Sequence, residues 1–411
     1  IPGRRLQAGG SPRPGKFSRR APGVAGPRLG WRRQNGVISA PMTPAIAPFA
    51  SVADAIPLHA LRRILVTKLR HHGDVLLTSP VITALRNHCP DAEVDALVYA
   101  DTAPMLSLHP GLTQLHTVDR GWKKRGALAQ ARAEWGLLSR LRARRYDLIV
   151  HLTEHPRGAW LARATGARWA VGPRRPGTFW RKSFTHQYAS PAHARRHTVE
   201  RNLDALRRLG LQPSGEDRRL TLIAGPEADV RIDTLLAEAG LHPQGFIHLH
   251  PASRWLFKCW PVEHNAALVR SLVERGAPVV LTAAPDARET ALVAAIVEAA
   301  GVPVLNLAGQ LSLKELAALS ARARLFVGVD SAPMHMAAAV LTPTVALFGP
   351  SGEYEWHPWR VPHVVVASDH HPCRPCGLDG CGGGKVSDCL AHLPVAQVLA
   401  AVDALLGADG G

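Results

Sequence analysis

The chain has 411 residues, 46% hydrophobic and 20% charged, the composition of a folded globular protein with enough chain for two cores. No run approaches the ~18 uninterrupted apolar residues of a membrane span, and the first residues hold no apolar signal core, so a cytoplasmic protein is expected. The formal charge of +17 invites a nucleic-acid partner, but nine Lys and Arg stand in residues 1–41 without a single acid, which leaves +8 for the rest.

That opening segment is rich in Gly and Pro and has no hydrophobic period, so residues 1–60 are expected to form a basic, disordered extension. It starts at Ile1, and a translation start nearer Met42 would also account for it. From Leu61 the texture changes. "RRILVTKL" is a β-branched strand run, and "HHGDVLLTSPVITALRNH" follows as a glycine turn into a helix. "AEVDALVY", "QLHTVDR" and "YDLIVHL" are further strands, with a helix over "RGALAQARAEWGLLSRLRARR". A polar stretch, Gln212 to Arg219, separates this first domain, 61–220, from a second, 221–411.

The second domain repeats the pattern. "FIHLHPAS", "APVVLTAAP", "VPVLNLAG", "ARLFVGVD" and "TPTVALFGPS" are strands, and "PVEHNAALVRSLVERG", "ARETALVAAIVEAAG" and "SLKELAALSARA" carry apolar residues at helical spacing. Alternation of this kind gives an α/β protein with two doubly wound, Rossmann-like domains and a cleft between them. Ligands of such sheets sit at the carboxyl ends of the strands, so residues at strand-to-turn junctions are the site candidates.

Four junctions qualify. Gly73 and Asp74 follow the first strand, the glycine allowing close backbone approach to a substrate. Ser253, Arg254 and Lys258 follow the first strand of the second half, where a lysine can neutralise a leaving diphosphate. Asp330 ends "RLFVGVD", and "SAPMHMAAA" opens a helix with Ser331 at its cap and Pro333 in its first turn; free N–H groups there attract phosphate, while Asp330 could bond a sugar hydroxyl or the neighbouring backbone. Gly349 to Gly352 form a glycine-rich loop. Each has a plainer account: a Gly-Asp turn is a common helix start, a lone Lys is usually solvated, and Asp330 and His335 can be an N-cap and a satisfied interior residue.

Four of the six cysteines, Cys373, Cys376, Cys381 and Cys389, fall in one span. Cys373-x2-Cys376 has the spacing of half a zinc site, but Cys381 and Cys389 make no second close pair, so a reduced thiol cluster stands ahead of zinc and a disulfide last. His370 and His371 are either further ligands or part of a solvated loop.

"GDVLLTSPVITALR", "KCWP" and "FVGVDSAPMHMAAAVLTPTVALFGPSG" resemble the signature blocks of the ADP-heptose:lipopolysaccharide heptosyltransferases, glycosyltransferase family 9, from about Arg62 to the C-terminus. "DRGWKKRG", "HLTEHPRGAWLAR", "RRHTVERNLDALRRLGL" and "CRPCGLDGCGGGKVSDCL" resemble the subgroup that adds the third heptose of the inner core. The resemblance implies a GT-B fold, with the acceptor on the N-terminal half and the nucleotide sugar on the C-terminal half. It implies inverting transfer of heptose from ADP-heptose to a core heptose, with Asp74 as general base and Lys258 on the donor diphosphate beside Ser253. Asp330, Ser331 and His335 match the block that holds heptose and phosphate. Glu263 falls where relatives carry an acid, though an exposed acid in a first helical turn explains it equally. "VLTPT" departs from the family pattern at Leu341, which matters little if the position only packs.

The implied acceptor is an anionic, lipid-linked core oligosaccharide at the cytoplasmic face of the inner membrane, with peripheral membrane contact and no nucleic acid. Lys123, Lys124, Arg125, Arg174 and Arg175, with Arg181–Lys182 and Arg195–Arg196, supply basic clusters in the first half to meet it, or are solvated charges. No cofactor is required, since Lys258 and the helix end carry the leaving charge. Two other readings stand beside this one: a transferase of the same architecture with another nucleotide sugar or acceptor, and a nucleic-acid-binding protein driven by the basic tail.

Overall fold

The computed structural model describes residues 52–190 and 195–407, without the side chain of Lys123. The basic opening lies outside the described residues as far as Ser51. Residues 52–60, expected to belong to a disordered extension, instead pack on the first half: Ile56 is buried and donates its N–H to Leu209, and Asp54 holds Arg208 in a bidentate ion pair at 2.7 and 2.8 Å.

The first half builds strands β1 (Arg63–Thr67), β2 (Glu93–Tyr99), β3 (Gln114–Val118), β4 (Leu148–His151), β5 (Trp169–Pro173) and β6 (His186–Tyr188). Its helices are α1 (His72–Leu76), α2 (Ser79–His88), α3 (Ala127–Ala143), α4 (Pro156–Thr165), α5 (Thr178–Ser183) and α6 (Thr198–Arg207). The second half adds β7 (Ile247–His250), β8 (Val279–Leu281), β9 (Leu305–Asn306), β10 (Leu325–Val329), β11 (Thr344–Phe348) and β12 (His363–Ala367). Its helices are α7 (Pro226–Glu238), α8 (Val262–Glu274), α9 (Ala287–Ala300), α10 (Leu313–Arg322), α11 (Ala332–Ala339), α12 (Glu353–Trp356), α13 (Asp388–Ala391) and α14 (Val395–Gly407).

Both sheets are wholly parallel and share one topology: β3-β2-β1-β4-β5-β6 in the first, β12-β11-β10-β7-β8-β9 in the second. Parallel strands are covered by helices on both faces, which is why β10 and β11 are buried at every position and read as unbroken apolar runs. In each sheet the order of strand addition reverses between two central parallel strands, β1 and β4 or β7 and β10, and opens a crevice at their carboxyl ends.

Three strands were absent from the sequence reading. β5 and β6 are short and carry Gly, Pro, His and Gln, so they lack a run; β12, "HVVVA", lies between segments rich in Pro and His. The stretch after β1 is two helices rather than one, because Pro80 can occupy only the first turn of a helix and α2 starts there afresh. Local end signals are well formed elsewhere: Ser312 and Glu315 make a reciprocal capping box on α10, and α9 ends at Gly301 in the left-handed region.

One apolar cluster runs under β1, α1, α2 and α6 and continues into the second half through Leu316, Met336 and Ala338. The halves therefore meet through packed side chains. The opposite face of the first sheet is closed by α3, α4 and α5, with Leu137, Leu141, Ala159, Trp180 and Phe184 against Leu65, Ile149 and Ala170.

Candidate active site

Two short helices bring the halves together at the crevice. α1 follows β1 and carries Asp74; α11 follows β10 and carries Ser331 at its N-cap position and His335 one turn further on. Their contact is close enough to explain Gly73: a Cβ there would lie 2.9 Å from Cδ2 of His335 and 3.8 Å from the Cα of Ala332. The residue expected to free backbone for a substrate thus makes room for a histidine of the other half.

His335 is 3% exposed, and burial pushes its pKa down to about 4, opposed by the charges of Asp330 and Asp74, so it is a neutral imidazole between the two acids. Its Nδ1 and the hydroxyl of Ser331 are buried and have no hydrogen-bond partner among the described residues. Ser331 thus occupies the cap position without capping, contrary to the sequence expectation. Two orphaned polar atoms at one helix start, each costing ~1–3 kcal/mol when left unpaired, indicate a site that a polar ligand completes.

Asp330 is 8% exposed and pairs with Lys258 Nζ at 2.6 Å, the lysine reaching over from the turn after β7. The two residues assigned separately to sugar and to diphosphate hold each other. Ser253, five residues before Lys258, is buried and its hydroxyl accepts the N–H of Trp255 at 3.3 Å. Glu263 is exposed in the first turn of α8. At Gly349 a Cβ would meet the Leu390 side chain at 2.5 Å, so packing against α13 also calls for a glycine there.

A cavity of about 620 Å³ opens on the first-half side of this junction. Its wall includes Asp74, Lys68, Arg70, Tyr99, Arg120, Arg175, Arg201 and Asn202, with Trp356 contributed by α12 of the second half. Lys68 is 5% exposed and gives its ammonium hydrogens to Leu152 O at 3.0 Å and Asn202 Oδ1 at 3.1 Å. Burial lowers its pKa to about 8, with Asp74 pulling the other way, which leaves it mainly cationic at neutral pH. Asn202 also donates to Leu77 O at 2.9 Å, tying α6 to the end of the helix that bears Asp74. Arg120 lies over the Tyr99 ring, 3.7 Å from its centre, and Arg201 has a buried Nε with no partner among the described residues.

Of the basic clusters expected to meet an acceptor, Arg175 lines this cavity, while Lys124, Arg125 and Arg174 stand exposed outside it, Arg125 held by Asp119 at 2.7 Å. The side chain of Lys123 lies outside the described residues. Lys68 was missed, although it stands one residue past a strand end, where Gly73 and Asp74 were sought. Asn202 and Arg201 lie within α6 and carried no such signal. Cys373, Cys376 and Cys381 are exposed and Cys389 is buried; among the described residues no three His, Cys, Asp or Glu side chains converge in a metal-holding group.

The model of glycosyltransferase family 9 (heptosyltransferase) matches residues 135–386. Lipopolysaccharide heptosyltransferase 3 of Escherichia coli is 38% identical over 342 residues, 82% of this chain and 97% of that protein. The protein of the same description from strain K12 is 35% identical over 346 residues, 83% of this chain and 97% of its own length. Among solved structures, the glycosyl transferase family 9 from Veillonella parvula DSM 2008 has a TM-score of 0.75 at 23% identity, covering 87% of this chain and 100% of that one. E. coli ADP-heptose lps heptosyltransferase II has a TM-score of 0.66 at 22% identity, over 85% of this chain and 100% of that one. The fold, two facing parallel sheets, is of the GT-B type.

Proposed function

Because the chain belongs to glycosyltransferase family 9, the heptosyltransferases, it is a glycosyltransferase, and we propose that it moves L-glycero-D-manno-heptose from ADP-heptose to a heptose of the lipopolysaccharide core, adding the third heptose. The first half, roughly residues 61–220, holds the acceptor, and the second, 221–411, holds the nucleotide sugar. The acceptor is lipid-linked and anionic, and the protein works at the cytoplasmic face of the inner membrane.

In this reading the acceptor sugar fills the cavity beside Asp74. As the acceptor oxygen attacks the anomeric carbon, its proton passes to the Asp74 carboxylate, the bond from that carbon to the phosphate oxygen breaks on the opposite face, and ADP leaves with inversion. A base so placed typically contributes ~100- to 10,000-fold. Lys258 turns from Asp330 to the departing diphosphate, Asp330 takes heptose hydroxyls, and the N-terminus of α11 with Ser331 receives phosphate.

One observation carries the assignment. Asp74 from one half and the Lys258–Asp330 pair from the other both face His335, where two buried polar atoms wait for a partner. The test is ADP release from ADP-L-glycero-D-manno-heptose with and without a core acceptor that carries two heptoses. Acceptor-dependent release with a heptose added is expected. Transfer only to an acceptor lacking the second heptose would discard the third-heptose assignment, and no turnover on any core acceptor would refute heptose transfer. Asp74→Asn is expected to keep ADP binding and lose transfer; near-normal turnover would remove Asp74 as the base.

A further inference from the structure

Residues 120–190 contain sixteen Lys and Arg against three acids, Glu134, Asp147 and Glu154, a net +13, so that outside this segment and residues 1–41 the chain sums to −5. Within the segment, α3, α4 and α5 lie side by side on one face of the first sheet. Their inner sides are buried, and their outer sides carry large apolar groups: Trp135 is 70% exposed, Trp160 64% and Phe179 42%.

Each of these rings has a basic residue one helical turn away: Arg132 before Trp135, Arg163 after Trp160 and Lys182 after Phe179, all exposed. Trp160 and Phe179 come from different helices, yet their rings stand 4.8 Å apart, and the Arg163 guanidinium lies 5.5 Å from the Phe179 centre. Buried aromatics would serve the core; here Trp180 and Phe184 already do so from the inner side. An exposed face of aromatic rings interleaved with cations suits the boundary layer of an anionic bilayer, where the ring enters the headgroup region and the cation meets lipid phosphate.

We propose that the outer face of α3, α4 and α5 is the surface by which this protein docks on an anionic lipid bilayer, with Trp160 and Phe179 as its paired interfacial anchor. The face adjoins the acceptor cavity: His155 and Pro156 at the start of α4, and Arg175 just before α5, line that cavity. Docking here brings the cavity mouth to the membrane, an orientation that rests on the lipid-linked acceptor proposed above; the docking itself does not depend on it. The exposed Arg132, Arg163 and Lys182 beside the rings favour an anionic surface over a neutral one.

The test uses the full chain and two double variants of exposed residues, Trp160→Ser with Phe179→Ser, and Arg132→Glu with Arg163→Glu, each checked for unchanged thermal unfolding. Co-sedimentation is measured with vesicles of phosphatidylglycerol in phosphatidylcholine and with phosphatidylcholine alone. The parent should bind the anionic vesicles selectively, and each variant should bind them about tenfold or more weakly. Unchanged binding by both variants overturns the proposal, as would a dimer that the variants abolish while vesicle binding persists, which would make the face a contact between two copies. Transfer to a deacylated, water-soluble acceptor is measured in parallel. Variants that keep it while losing transfer to a vesicle-borne acceptor support docking; a parent inactive on both acceptors defeats the proposed reaction and leaves the vesicle result to decide the surface.

Discussion

Replacing Gly73 by Ala isolates the contact on which the two halves of the site depend. The added methyl would sit 2.9 Å from His335 Cδ2, about half an ångström inside ordinary contact, and neither neighbour can move freely. His335 is 3% exposed within a helix buried from Met334 to Ala339. Overpacking of this kind costs ~1–3 kcal/mol, and the better helix propensity of Ala returns ~0.5–1 kcal/mol, so a net loss of ~1–2 kcal/mol is expected. Urea unfolding measures it, and the double variant with His335→Ala supplies the control. Without the imidazole the methyl has room, and Gly73→Ala should become neutral or mildly stabilising, a coupling of ~1–3 kcal/mol. Activity should fall with stability in the single variant, because a shift of α1 against α11 moves Asp74 relative to the second half. A single variant as stable as the parent, or the same cost in both backgrounds, would refute the claim that Gly73 exists to admit His335.

Gly158→Ala is a harsher case: its Cβ would lie 1.9 Å from Nε2 of His151, a fully buried ring, so the variant should unfold at least ~3 kcal/mol more easily or fail to accumulate, as soluble yield and denaturant titration would show. Lys258→Ala leaves the Asp330 carboxylate buried without its cation. A loss of ~2 kcal/mol is expected, less than the ~3–5 kcal/mol for a fully enclosed pair because the lysine keeps 23% exposure, together with weaker ADP inhibition and lower transfer; unchanged ADP inhibition would place Lys258 away from the diphosphate. Acid should destabilise the fold through its buried imidazoles. Burial lowers His250, His335 and His357 to about 4 and His197 well below its ordinary value. Above the unfolded value of ~6.5 both states are neutral and stability is full; as pH falls from there toward 4 only the unfolded chain takes up protons, so the unfolding midpoint should drop across that window, and a flat profile would mean these imidazoles charge in place.

The α/β class and the doubly wound pattern were legible because parallel strands, buried on both faces, leave unbroken apolar runs such as "RLFVGVD", and because helices keep a 3.6-residue period between them. The family blocks named Asp74, Lys258, Asp330, Ser331 and His335 by their place at strand ends, and those residues converge at the junction of the halves. Gly349 shows the limit, since a glycine that packs against Leu390 looks, in sequence, the same as one beside a ligand.

Local spacing, then, determines strands, helices and the chain positions from which a site can be built, since each depends on neighbours a few residues apart. What faces what was decided only when the halves packed. Gly73 makes way for a histidine 262 positions later, Lys258 waits on Asp330 at 2.6 Å, and Lys68 is held by Asn202, 134 residues on. Such contacts follow from the shared apolar core beneath α1 and α11, whose pairing sums many side chains distant in sequence, so no window of residues contains them.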